Sequence, residues 1–90
     1  MHFEWDAGKA RRNIDKHGVS FEEASSVFYD PLALMGADPD HSEDEDRMVT
    51  FGVSSLGRLL VIAHVERGDA IRIINARVAT QTERRIYEEG

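Results

Sequence analysis

The stretch from Leu59 to Tyr87 sets the tightest limits on the fold. Leu59-Leu60-Val61-Ile62-Ala63-His64-Val65 is apolar and rich in β-branched residues, so it reads as a strand in the middle of a sheet. Gly68-Asp69 offers a tight reversal, because glycine accepts the positive φ that such turns need. Ile71 to Arg77 returns as a second strand. Thr80-Gln81-Thr82-Glu83 is a capping box, in which the threonine hydroxyl and the glutamate each satisfy a free backbone N–H at a helix start. A hairpin closing at Gly68-Asp69 sets Glu66 opposite Ile71 and His64 opposite Ile73. Strict alternation then puts Leu60, Ile62, His64, Ile73, Asn75 and Arg77 on one face, and Val61, Ala63, Val65, Arg72, Ile74 and Ala76 on the other. Both faces are largely apolar, so the hairpin is expected to be covered on both sides, at least in part. An imidazole, an amide and a guanidinium on one face are more than a core requires.

Upstream, Phe3-Glu4-Trp5 alternates as a short first strand. Asp6 is an N-cap for a helix from Ala7 to Lys16, and Gly18 closes it in the left-handed conformation. The helix's apolar stripe is thin (Ala7, Ala10, Ile14), and its other side carries Lys9, Arg12 and Lys16 with Arg11 beside them. Ser20-Phe21-Glu22-Glu23 reads as a second capping box, opening a helix that buries Phe21, Ala24, Val27 and Phe28 and stops before Pro31. Short strands follow at Leu32 to Met35 and Met48 to Val53, separated by an acidic loop. One strand, two helices, four strands and a last helix make an α+β domain spanning residues 1–90. The sheet should be mostly antiparallel, with the helices packed on one side.

Composition narrows the function. The chain has 90 residues, no cysteine and no apolar run long enough to cross a bilayer, so neither a disulfide framework nor a thiolate metal site is open to it. Met1-His2-Phe3-Glu4 lacks a basic start and an apolar stretch, so a cytoplasmic location is expected. The net charge of −6 is local: Asp38, Asp40, Glu43, Asp44, Glu45 and Asp46 lie within nine residues, and the other 11 acids balance the 11 Lys and Arg. A basic patch elsewhere is compatible with that balance.

His17, next to Lys16, sits at the end of the first helix, where the helix dipole favours a protonated imidazole. It reads either as a capping histidine or as a proton-transfer group. His64 reads either as a hydrogen-bonded core histidine or as a catalytic one beside Asn75 and Arg77. Arg72 and Arg77 flank an apolar strand and need partners, because an unpaired buried charge is costly. Those partners are carboxylates such as Glu66 and Glu83, or a ligand's phosphate, which the guanidinium fork fits well. Asp38-x-Asp40-His41-x-Glu43 has the spacing of neither an EF-hand nor a zinc motif and reads as a solvated acidic loop. No glycine-rich phosphate loop and no nucleophile elbow are present, so no cofactor is expected. Chemistry falls to acid–base work and charge stabilisation.

Several stretches together resemble one family. Phe3-Glu4-Trp5-Asp6 with Lys9, Asn13 and Lys16-His17-Gly18-Val19-Ser20-Phe21-Glu22-Glu23-Ala24 resembles the N-terminal signature of the BrnT toxins. His41-Ser42, Glu45 and Arg47 resemble the middle motif, and Arg72 to Arg77 with Ala79-Thr80, Glu83-Arg84 and Tyr87 the C-terminal one. Asn75 stands where a serine is expected, and Val78 where a basic residue is common. The resemblance implies a RelE-like fold and a ribonuclease toxin of a bacterial type II toxin–antitoxin system. A BrnA-type ribbon-helix-helix antitoxin would neutralise it, and the hetero-oligomer would reach operator DNA only through that antitoxin. On that footing RNA is the substrate. His17 and His64, or one of them with Lys16, would move protons; Arg47, Arg72 and Arg77 would hold the phosphate, with Glu83 orienting an arginine. Lys9, Arg12 and Asn75 would bind RNA without a metal. Two rival readings remain: a binding module that holds a protein or nucleic acid on the same basic face without cutting, and a metal-dependent nuclease built on the acidic loop.

Overall fold

The computed structural model describes residues 1–39 and 46–90. Its strands are β1 (His2–Glu4), β2 (Leu34–Ala37), β3 (Arg47–Val53), β4 (Leu59–Arg67) and β5 (Ala70–Val78). They form one sheet in the order β1-β5-β4-β3-β2, in which only the β1–β5 pair is parallel. Helices α1 (Ala7–His17) and α2 (Phe21–Ser26, continued by a 3₁₀ turn over Val27–Tyr29) precede β2, and α3 (Gln81–Glu89) follows β5. The fold is α+β with a mostly antiparallel sheet.

Local chemistry sets most boundaries. The Asp6 carboxylate accepts the Lys9 N–H at 2.9 Å, and Gly18 ends α1 at φ 68°, donating its N–H to the Ile14 carbonyl. At Thr80 both halves of the capping box form. At Ser20 only one does: the hydroxyl accepts the Glu23 N–H at 3.0 Å, while the Glu23 carboxylate turns to Ser54 and Arg58. Strand β2 begins two residues later than its composition suggests. Asp30 holds Pro31 and Leu32 in a turn, accepting the Leu32 N–H on its side chain (2.9 Å) and the Ala33 N–H on its carbonyl (3.1 Å).

β4 is the middle strand, which accounts for six consecutive buried residues from Leu59 to His64. On one face Leu60, Ile62, Ile73 and Ala76 pack with Val19, Phe21, Ala24 and Val27 from the α2 region, and Phe3, Trp5, Ala10 and Phe28 close the rim. Each fully buried Leu, Ile or Phe there contributes about 1.5–3 kcal/mol. The ladder between β4 and β5 slips between Ala63 and His64, so Ala63 faces Asn75 while His64 faces Ile73, leaving Ile74 as an extra residue. This β-bulge overturns strict alternation. His64 goes to the core face with Leu60 and Ile62; Asn75 and Arg77 go to the opposite face with Val61 and Ala63.

Candidate active site: a basic cleft between the first helix and the bulged strand

Strand β1 pairs with β5 only as far as Arg72, so the edge of β5 beyond that point needs another partner. Asn13 supplies it. Its Nδ2 donates to the Ala76 carbonyl (2.8 Å) and to the Val19 carbonyl (2.9 Å), and its Oδ1 accepts the Ala76 N–H (3.1 Å). One buried amide thus stands in for a neighbouring strand and fixes α1 along the sheet edge. A second clamp holds the end of α1. Arg58 donates to Glu23 (Nε to Oε2, 2.9 Å) and to the Gly18 carbonyl (Nη2, 3.0 Å), and the Ser54 hydroxyl donates to Glu23 at 2.7 Å. The Arg58 bonds hold the Glu23 carboxyl below the usual range.

Fixing α1 there forms a cleft of about 360 Å³, within the small-ligand range. Lys9, Arg12, Lys16 and His17 line one wall; Val49, Val61, Ala63 and Ile74 form the floor; Asn75, Arg77 and Asp38 complete it. Among the described residues, no carboxylate forms an ion pair with Lys9, Arg12 or Lys16. Arg77 is engaged by Glu83 through two bonds of 2.6 and 2.7 Å, and that bonding draws the Glu83 carboxyl down to about 2. Asp38 accepts from Arg47 Nε at 3.2 Å. Two carboxylates at the cleft therefore each hold a guanidinium, and the α1 wall supplies cations that the described residues leave without a salt bridge.

Of the residues singled out from sequence, Lys9, Arg12, Lys16, His17, Asn75 and Arg77 come together here. Glu83 braces Arg77 from α3, and Arg47 approaches through Asp38. Two do not join them. His64 is fully buried on the core face; its Nε2 lies 2.7 Å from the Thr50 hydroxyl and its ring packs edge-on against Phe28. Burial lowers its pKa to about 4, so it is neutral at pH 7. Its expected place beside Asn75 and Arg77 fails because the bulge lies between them. Arg72, beyond the bulge, sits near Glu4 (3.9 Å) where β5 pairs with β1, so the three strand arginines do not converge. Of the Asp38-x-Asp40-His41-x-Glu43 run, residues 40–43 lie outside the described residues. Among the described residues no cluster of three or more His, Asp or Glu could hold a metal ion. Asn13 was missed as a site-forming residue. Its signal was its spacing, four after Lys9 and three before Lys16, which puts it on their helical face.

The chain is thus a small α+β domain in which one helix presents cations across a cleft from the bulged strand. A family model described as the ribonuclease toxin, BrnT, of type II toxin–antitoxin systems matches residues 5–83, most of the chain, and the chain belongs to that family. In fold it is similar to the crystal structure of the Brucella abortus ribonuclease toxin, BrnT. The TM-score is 0.71 with 24% identity, covering 90% of this chain and 99% of that one. No curated protein matches the sequence. No helix among the described residues is long and apolar enough to cross a membrane.

Proposed function

We propose that this toxin cuts RNA in the cleft between α1 and β5 without a metal ion. The 2′-oxygen attacks the adjacent phosphorus and gives up its proton to a base; the bond to the 5′-oxygen breaks and that oxygen takes a proton from an acid. The products are a 2′,3′-cyclic phosphate and a 5′-hydroxyl. His17 and Lys16 carry the proton transfers, and Lys9 and Arg12 hold the phosphates on either side. Arg77, kept rigid by Glu83, stabilises the charge that builds on the phosphorane. Neither His64 nor Arg72 has a part, because both lie away from the cleft. One observation carries this reading: four basic side chains of α1 face Asn75 and Arg77 across a single cleft.

In the same reading the toxin works in the cytoplasm and stops translation. A BrnA-type ribbon-helix-helix antitoxin holds it in check within a hetero-oligomer, and through that antitoxin the complex meets operator DNA. The test is cleavage of an RNA substrate in excess EDTA with analysis of the product ends. Cyclic phosphate ends are expected, with His17→Ala slowed about 100-fold or more and Arg72→Ala within about threefold of wild type. Loss of activity in EDTA would refute the metal-free chemistry. Binding without cleavage would favour a non-catalytic module.

A further inference from the structure

Resting on the reading of the cleft as an RNA site, we propose that Asn75 selects the base next to the scissile phosphate and that adenine is the base it prefers. The bulge is what delivers it. In an unbroken ladder Asn75 would share the core face with Ile73; the slip at His64 brings Ile74 and Asn75, neighbours in sequence, to the cleft side together. Bulges next to functional sites commonly re-aim a side chain in this way. Asn75 is half-buried and lines the cleft, so its amide is reachable by a ligand there. Among the described residues that amide has no hydrogen-bond partner, whereas the Asn13 amide in the same cleft is fully bonded.

The surroundings fit a base better than a second phosphate. Beside Asn75 lie Ile74, Val61 and Ala63, an apolar floor on which the face of a base can rest, while Lys9, Arg12, Lys16 and His17 stand on the opposite wall and Arg77, on the strand side, is held by Glu83. A carboxamide places an acceptor next to a donor and matches the amino group and ring nitrogen side by side on adenine, the usual partner of an asparagine pair. The cleft thus divides by chemistry, with phosphate between the helix wall and Arg77 and base on the apolar strand floor.

The experiment is sequencing of cleavage ends from a random-sequence RNA pool, using wild type, Asn75→Ala and Asn75→Asp. Wild type should enrich adenine at one position beside the cut, by roughly 5- to 100-fold over the other bases. Asn75→Ala should lose that enrichment at that position. Asn75→Asp offers two acceptors and should turn it toward guanine, whose N1–H and N2–H lie side by side, at a lower overall rate. A wild-type toxin that cuts with no base enriched, or with an enrichment unchanged in both variants, overturns this inference alone. A wild-type toxin that does not cut overturns the reading of the cleft together with it.

Discussion

Burying His64 uncharged ties the stability of the fold to pH between about 4 and 6.5, a range lying mostly above that of the lowered carboxyls among the described residues. The folded pKa is about 4 against an ordinary 6.5, so between those values the unfolded chain binds a proton that the folded one refuses. Stability from this source is complete above pH 6.5 and drains away as pH falls toward 4. Linkage gives a loss of about 2 kcal/mol at pH 5 and about 3 kcal/mol at pH 4 for a single group with this shift. Against the roughly 5–13 kcal/mol typical of a domain of this length, that is a large fraction. The depressed carboxyls among the described residues, Asp6, Glu23, Asp30 and Glu83, start from ordinary values of 4.5 or below and respond only at lower pH.

The perturbation is His64→Gln, whose amide keeps a partner for the Thr50 hydroxyl and removes the ionisable ring. Urea unfolding at pH 7.5, 6.5, 5.5 and 5.0 should show wild type losing about 2 kcal/mol more than the variant across that range. Exposed groups titrate alike in both proteins and cancel in the difference. RNA cleavage at pH 7.5, measured on folded variant, should survive within a few-fold, because the imidazole faces Phe28 and not the cleft. Equal pH slopes would refute the argument from burial. A folded variant that no longer cuts would return His64 to the catalytic set.

Three further perturbations test how the cleft and the core behind it are built. Asn13→Ala removes three buried hydrogen bonds and leaves the Ala76 N–H and carbonyl without their partner; a loss of about 2–4 kcal/mol is expected, with faster amide exchange at Ala76. Glu83→Gln breaks the pair with Arg77. Because the Glu83 carboxyl is drawn down to about 2 from 4.5, its contribution is present above pH 4.5 and lost as pH falls toward 2. The Arg77 side chain is 36% exposed, so solvent trims the effect to about 1–2 kcal/mol at pH 7, and thermal melts of variant and wild type should converge near pH 2.5. Gly52→Ala would set a methyl 2.7 Å from Val27 Cγ1, and a loss of about 1–3 kcal/mol in urea unfolding should follow.

What the sequence made legible is what a few neighbouring residues decide for themselves. Asp6, Ser20 and Thr80 announce helix starts because each cap is a bond to a residue three positions on, and Gly18 announces an end because only its own φ is at stake. The four basic residues of the cleft wall were legible for the same reason, since they share one short helix. The bulge was not. Nothing local in Ala63-His64 or Ile73-Ile74-Asn75 distinguishes a slipped ladder from a regular one. The slip stands beside a contact 63 positions apart in sequence, Asn13 on Ala76, and a core that accepts Ile73 and Ala76 together. That one extra residue exchanged the histidine for the asparagine: His64 went inward to Thr50, and Asn75 went outward to the cleft. Arg72, five residues before Arg77 on the same strand, stays beside Glu4 where β5 pairs with β1. Composition could place three arginines and an imidazole on neighbouring strands, but only the pairing of those strands decides which side each faces. Here it leaves the cleft lined by the basic side chains of α1 on one side and by Asn75 and Arg77 of β5 on the other.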